Sequence, residues 1–191
     1  MKDIRAYSVL GNIAIVNFPE DYKKKDKIIF AKKILSNNNQ VKTVLEKSGK
    51  FKGRLRKMET KYILGEKTKE VLYRENGCSF RFNVDTSYFS PRLSGERKEV
   101  AEMIKKGEKV LVLFAGVAPF SIVIAKNSSP LVVFSNELNR EANKYGKLNI
   151  ELNKLKEKVL LYNGDAKKVC EKLAIAKENF DVIVMPRPQL R

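Results

Sequence analysis

The fold is decided by three segments in the C-terminal half: V-L-V-L-F-A-G-V-A-P-F-S at 110–121, V-V-F-S-N-E-L-N at 132–139 and V-L-L-Y-N-G-D-A at 159–166. Each is an apolar run that ends in a turn containing a glycine, an acid or both. Each also precedes a stretch with helical character. Alternation of this kind predicts a parallel α/β sheet whose strand ends face a nucleotide-like ligand.

The spacing of the turn residues indicates which ligand the strand ends bind. Glu137 follows Gly116 by 21 residues, close to the ~20 expected for an acid that binds ribose hydroxyls. Asp165 ends the next strand, where an adenine amino group would be read. Ala118 and Pro119 stand where a dinucleotide site needs further glycines, so S-adenosylmethionine, which has no phosphate, fits better than NAD. The alternative is a doubly wound domain with ordinary acids at its strand ends.

The charge of the chain predicts a polyanionic partner. Lys and Arg total 39 against 22 acids, a formal charge of +17, and the basic residues crowd between residues 20 and 74. Nucleic acid is the simplest partner of that kind; the alternative is a solvated basic surface in a lysine-rich proteome.

Other classes of site are excluded by composition. The chain has no His, which excludes a His-ligated zinc and a Ser-His-Asp triad, and we expect no metal. Cys78 and Cys170 are expected as small core residues in a reducing cytosol. No apolar stretch approaches the ~18 residues of a membrane span, and the N-terminus lacks a signal peptide. These features predict a cytoplasmic protein.

The chain divides into a small α+β domain at 1–84, a joining segment at 85–97 and an α/β domain at 98–191. In the first, 25–36 suits a helix with Ile28, Ile29, Ala31, Ile34 and Leu35 inward. The predicted strands there are 13–18, 41–45, 52–59, 70–74 and 78–84, with Glu75-Asn76-Gly77 as a hairpin turn. Beyond it we expect helices at 97–105, 119–127, 140–152 and 166–174, and strands at 110–114, 131–135, 158–162 and 180–185.

The segments S-Y-F-S-P-R-L-S-G-E-R at 87–97 and F-A-G-V-A-P-F-S at 114–121 carry a family resemblance. Together they resemble the archaeal and eukaryotic tRNA guanine-37 N1-methyltransferases. G-N-I-A-I-V at 11–16, V-K-T-V-L at 41–45, G-R-L-R at 53–56 and E-N-G-C at 75–78 match in the same order. The match covers nearly all of the chain, which makes it far more specific than any single motif.

The resemblance implies a small RNA-facing domain joined to a class I, Rossmann-like methyltransferase domain. It also implies S-adenosylmethionine as donor and tRNA guanine-37, in the anticodon loop, as acceptor. The chain begins directly at the family's second domain, and its four α/β strands are fewer than such a sheet usually has, so we expect a fragment truncated at the C-terminus. Three positions depart from the family: Val112 replaces an acid, Ala118 replaces a glycine, and Met185-Pro186-Arg187-Pro188 replaces an Asn-Pro motif.

Methylating guanine N1 needs a base near N1 and a positive group near O6. Without His the base must be a carboxylate, and the resemblance points to Glu96, whose alternative role is a surface or helix-capping acid. For O6 we favour Arg56, then Arg54, although both could simply bind phosphates. The residues expected to form the base pocket are Tyr88, Phe89, Pro91, Arg92, Pro186 and Arg187, although interdomain packing is the preferred role of Phe89. The residues expected to bind the donor are Phe114, Gly116, Pro119, Glu137, Leu138, Asp165 and Ala166.

Two other functions stay open. One is a related wyosine-pathway transferase on the same scaffold, moving a methyl or an aminocarboxypropyl group. The other is a non-catalytic RNA-binding relative, which the altered Met185-Pro186-Arg187-Pro188 segment and the early end of the chain favour. In each case we expect a monomer.

Overall fold

The computed structural model describes residues 7–49 and 58–186, which group into two compact units. Among the described residues, the first contains 7–49, 58–73 and 81–86, and the second contains 74–80 and 87–186. The division crosses a hairpin formed by β5 (Glu70–Glu75) and β6 (Cys78–Asn83), so that the turn of the hairpin belongs to the second unit. The predicted boundary at residues 84 and 85 stays a prediction.

The first unit is built on a mixed sheet of four strands in the order β1-β2-β3-β4. These are β1 (Tyr7–Leu10), β2 (Ile13–Val16), β3 (Thr43–Lys47) and β4 (Thr60–Gly65). The β1–β2 and β3–β4 pairs are antiparallel, whereas β2 and β3 are parallel. A parallel pair needs a crossover, which here contains helix α1 (Lys24–Asn37).

Helix α1 covers the sheet with a narrow apolar face. Ala31 and Ile34 are buried in the same cluster as Val16 and Val44. Ile29, which we expected inward, is 54% exposed, because it lies about 200° around the helix from Ala31. The helix ends at Asn37, and the extended backbone of Asn38 follows.

The second unit is an α/β domain with a parallel sheet, which confirms the predicted fold class. Within the described residues its strand order is β10-β7-β8-β9, and every pair is parallel. The strands are β7 (Lys109–Val112), β8 (Val132–Glu137), β9 (Val159–Asn163) and β10 (Val182–Val184); the helices are α2 (Ser94–Met103), α3 (Pro119–Asn127), α4 (Arg140–Leu152) and α5 (Ala166–Ile175).

The two faces of this sheet are buried by different helices. Leu111 and Phe134 pack with Val169 and Leu173 of α5 in one core cluster. Residues one step along each strand point to the opposite face, where the Ser135 hydroxyl is hydrogen-bonded to Ser121 of α3 at 2.8 Å. Burial on both faces explains the continuous apolar runs at 110–113 and 132–134.

Most predicted elements are present in the structure, with bounds that differ by a few residues. Helices α3 and α4 have the predicted bounds, whereas α2 begins earlier, at Ser94, because a 3-10 turn at Pro91–Leu93 leads directly into it. Residues 52–57 of the predicted 52–59 strand lie outside the described residues, and Met58 and Glu59 are not in a strand. Strands β1 and β4 were not predicted. In the described ranges, no helix is long and apolar enough to cross a membrane.

Candidate active site

The loops that follow β7, β8 and β9 form one hydrogen-bonded rim at the carboxyl edge of the sheet. The Ala115 N–H donates to the carbonyl of Asn136 at 2.8 Å, and the Gly164 N–H donates to the carbonyl of Glu137 at 3.0 Å. The buried Asn136 amide donates to the carbonyls of Tyr162 at 3.0 Å and Gly164 at 3.1 Å. The three segments predicted to share a ligand therefore meet.

Glu137 lies at the centre of this rim. Its Oε2 accepts a hydrogen bond from the Gly116 N–H at 2.7 Å, and its Oε1 accepts one from the Asn139 N–H at 2.7 Å. An ionised carboxylate has about four lone-pair positions, so two such bonds fix its orientation and leave acceptor capacity for two hydroxyl groups. This geometry fits a ribose diol.

The loop from Phe114 to Ala118 has an unusual backbone. Phe114, Gly116 and Ala118 have positive φ angles of 56°, 59° and 65°, a region that L-residues other than Gly, Asn and Asp seldom occupy. A Cβ at Gly116 would lie 3.4 Å from the Tyr88 carbonyl oxygen, an ordinary contact distance, so the positive φ angle is what favours glycine there. Pro119 then begins α3, where its missing N–H costs nothing.

Two helices begin at the same rim. Asn139 caps α4 by accepting hydrogen bonds from the N–H groups of Glu141 and Ala142, and Asp165 caps α5 by accepting one from Lys167. The predicted flanking residues Leu138 and Ala166 lie beside these caps, and both are half-buried. The Asn163 amide also donates to the carbonyl of Glu137 at 3.0 Å, which ties β9 to the β8 turn.

Glu96 lies at a separate cleft in the same unit. It belongs to the first turn of α2, and its side chain is exposed. The cleft has a volume of about 310 Å³, and among the described residues Glu96 is the one ionisable side chain in its lining. The other lining residues are Val100, Met103, Ile104, Phe120, Val182, Ile183, Val184, Met185 and Pro186. The structure therefore brings Glu96 and Pro186 together, as the predicted base site requires.

Four predicted base-pocket residues lie in the segment before α2. Phe89 is buried and packs on Phe80, with ring centroids 5.6 Å apart. Tyr88 is half-buried, and its carbonyl faces Gly116. Pro91 starts the 3-10 turn, and Arg92 is exposed. Phe89 thus has a packing role within the second unit, whereas Tyr88 lies next to the loop from Phe114 to Ala118.

Three predicted residues cannot be placed: Arg54, Arg56 and Arg187 lie outside the described residues. Across residues 7–49 and 58–186, no group of His, Cys, Asp and Glu has a geometry suited to a metal ion.

An ion pair and a set of buried amides were not predicted from the sequence. Glu75 and Arg97 form a buried pair in which both side chains are almost fully enclosed. Asn136, Asn149 and Asn153 are buried and bonded to backbone groups. The signal available in the sequence was the presence of these polar residues inside helix-like and strand-like runs. Their hydrogen-bond partners could not be predicted, because bonds such as Arg97–Glu75 and Asn153–Ser79 join residues 22 and 74 positions apart and depend on the tertiary fold.

Comparison with known proteins identifies this architecture. The family described as the TRM5/TYW2 methyltransferase domain matches residues 71–190, and the TYW2 N-terminal domain matches residues 1–68. The chain belongs to the TRM5/TYW2 methyltransferase family. The Rossmann-like fold and the resemblance stated above are thereby confirmed.

Individual members of the TRM5/TYW2 family agree with this assignment. The tRNA (guanine(37)-N(1))/4-demethylwyosine(37)-methyltransferase Taw22 of Nanoarchaeum equitans is 44% identical over 82% of this chain and 51% of its own. The crystal structure of Trm5b from Pyrococcus abyssi superposes with a TM-score of 0.81 at 36% identity, over 97% of this chain and 53% of that one.

A third relative carries a nucleoside. Trm5 of Methanocaldococcus jannaschii in complex with adenosine has a TM-score of 0.75 at 27% identity, over 97% of this chain and 53% of that one. The chain spans about half the length of these relatives.

Proposed function

We propose that this chain methylates N1 of guanine-37 in tRNA, with S-adenosylmethionine as donor. The observation that carries the proposal is Glu137, whose carboxylate is oriented by the N–H groups of Gly116 and Asn139 for a ribose diol. The nucleoside named for the Methanocaldococcus jannaschii relative is adenosine, which is the corresponding part of the donor. The donor supplies an electrophilic methyl group when it is bound.

The residues of this chain would then do four things. Glu137 and Asp165 would hold the adenosine part, while Gly116 admits it close to the backbone. Glu96 would accept the N1 proton of guanine from its place in the cleft. Tyr88 and Pro186 would flank the base, which must leave its stack to be reached. Arg56, or Arg54, is proposed to stabilise the charge that develops on O6.

A larger base is the second candidate substrate. Among the described residues, the lining of the cleft around Glu96 is otherwise apolar and includes Phe120, Met185 and Pro186. An apolar lining suits an extended aromatic base, and 4-demethylwyosine is the second substrate in the name of the Nanoarchaeum equitans relative.

Methyl transfer to defined tRNA tests both candidates. The chain is incubated with methyl-labelled donor and a tRNA transcript bearing G37, and the nucleosides are identified by mass spectrometry. We expect 1-methylguanosine, and none with a transcript bearing A37. A tRNA carrying 4-demethylwyosine reports the second candidate, and an aminocarboxypropyl adduct would identify the other wyosine-pathway reaction. Tight tRNA binding without any transfer would support a non-catalytic relative.

We also propose a monomer that acts in the cytoplasm without a metal. The charge of +17 disfavours self-association, and Cys78 and Cys170 are free thiols in the described structure. Light scattering should give a mass near 21.9 kDa, and chelators should leave methyl transfer unchanged. Cell fractionation should place the protein in the cytoplasmic fraction that contains tRNA.

A further inference from the structure

The turn of the β5–β6 hairpin is attached to the start of helix α2. The side-chain amide of Asn76 donates to the carbonyl of Ser94 at 2.9 Å. Arg97 binds the Glu75 carboxylate through two nitrogens, with Nη2 2.8 Å from Oε2. The same Nη2 donates to the carbonyl of Ser90 at 2.9 Å. The turn therefore binds Ser94 and Arg97, and Arg97 in addition links the C-terminal end of the 90–97 segment to its start at Ser90.

The Glu75–Arg97 pair is enclosed. The side chains are 3% and 1% exposed. The guanidinium lies 5.1 Å from the ring centre of Phe89 and 5.6 Å from that of Phe120. Removing two charges from water is costly, and an apolar pair of similar volume would often be as stable. A gain in stability is thus a weak explanation for a buried ion pair at this position. The fixed geometry of a two-nitrogen contact between Arg97 and the Glu75 carboxylate is a stronger explanation.

The neighbouring segment needs such a constraint. Helix α2 begins after Leu93, which provides no side-chain cap. Its first turn carries Glu96, an exposed side chain that lines the cleft. Phe120 lines the same cleft and contacts the Arg97 guanidinium. The position of the Glu96 backbone is therefore fixed by the buried side chain of Arg97, the next residue in the chain.

We propose that Glu75 and Arg97 are positioning residues for Glu96. They hold the 90–97 segment so that the Glu96 carboxylate stands at the cleft in the orientation that proton abstraction needs. Neither residue lines the cleft. This inference rests on the proposed function, because it assigns the pair to the step that Glu96 performs.

The first test measures the local stability of the 90–97 segment and needs no activity assay. Hydrogen exchange of the 93–98 amides is compared in the parent, in Glu75→Gln/Arg97→Met and in Glu178→Gln. The double variant removes both charges and so avoids a lone buried ion. Glu178→Gln is the matched control, since it breaks the Lys109–Glu178 pair at 3.0 Å elsewhere in the unit. We expect protection to fall about tenfold or more in the double variant alone; unchanged protection overturns the proposal.

The second test is a cycle with Glu96→Gln. In the parent background, Glu75→Gln/Arg97→Met should lower the single-turnover methyl-transfer rate by about 10- to 100-fold with unchanged donor and tRNA affinities. In the Glu96→Gln background it should cost less than about threefold, because residues acting as a unit are not additive. An equal loss in both backgrounds means a general structural role and overturns the proposal.

The two proposals fail in different ways. If Glu96→Gln has no effect on an active parent, the assignment of Glu96 is wrong and the positioning role is lost with it. A parent that transfers no methyl group contradicts the proposed function itself. The exchange experiment still decides by itself whether the pair holds the segment.

Discussion

The Glu137 carboxylate accepts a hydrogen bond from the Gly116 N–H at 2.7 Å, which joins the turn after β8 to the loop after β7. A residue expected to bind ribose is thus also part of the scaffold. Its second oxygen is held by the Asn139 N–H, so the carboxylate is oriented before any ligand arrives. Such preorganisation reduces the cost of ordering on binding.

Glu137→Ala should therefore weaken donor binding by about 1–3 kcal/mol, the usual cost of leaving buried polar partners unpaired. Calorimetry with S-adenosylmethionine measures the loss. Glu151→Ala is the control, since Glu151 is an acid of the same unit that pairs with Lys156 at 3.0 Å. Unchanged affinity in a folded Glu137→Ala protein would remove Glu137 from the site.

Substitutions at two glycines can distinguish the cost of backbone strain from the cost of a steric clash. Gly65 and Gly77 have φ angles of 97° and 70°. A Cβ at Gly65 would lie 2.1 Å from the Lys42 carbonyl oxygen, whereas one at Gly77 would meet nothing within 4 Å. Gly77→Ala should cost about 1 kcal/mol of unfolding free energy, and Gly65→Ala about 3 kcal/mol or more. Denaturant unfolding of both variants gives the difference, and equal costs would contradict the clash.

The alternation of strands and helices at 109–184 was predictable because local signals agreed with the tertiary fold. Pro119, Asn139 and Asp165 each begin a helix as their chemistry suggests. Strand β1 was missed because its four residues are mostly exposed, so no buried run marks it. The Glu75–Arg97 pair was missed for another reason: the choice of a partner 22 residues away has no local signature. The candidate site residues could be chosen from the sequence where they belong to a motif. The hydrogen bonds and the ion pair that surround them could not be predicted.

The thiol of Cys78 should make stability depend on pH in the alkaline range. Burial raises the pKa of Cys78 from 9.0 to about 11, with Lys126 opposing the rise and Glu75 adding to it. The folded protein thus binds more protons than the unfolded chain between these values, and the contribution of Cys78 is complete below pH 9.0 and lost by about pH 11. The decline should reach about 2–3 kcal/mol.

Comparison with Cys78→Ala isolates this effect from Lys and Tyr titration. The difference in unfolding free energy between the parent and the variant should shrink as pH rises from 9.0 to 11. A thiol reagent at pH 8 should also modify the half-buried Cys170 faster than the buried Cys78. A constant difference across this pH range would show that the Cys78 pKa is not raised.

Two lysines near the start of α1 should behave differently toward RNA. Lys25 is exposed, whereas Lys27 bonds Glu46 at 2.5 Å and lies 5.5 Å from the centre of the Phe18 ring. If Lys25 contacts a phosphate, Lys25→Gln should reduce the slope of log affinity against log salt by about 0.7–0.9. Lys27→Gln should leave the slope unchanged and cost about 1 kcal/mol of stability. Filter binding over a salt series measures both slopes; a slope near zero for the parent would refute the electrostatic prediction.

Glu96→Gln should lower single-turnover methyl transfer to G37 about 10²–10⁴-fold, the usual contribution of a positioned base. Gln has the size and hydrogen-bonding capacity of Glu but cannot accept the N1 proton. Donor and tRNA affinities should change little, because the interaction belongs to the transition state. Glu99→Gln is the matched control, as another exposed acid of α2 outside the cleft lining. Equal rates for Glu96→Gln and the parent would point to another carboxylate or to solvent as the proton acceptor.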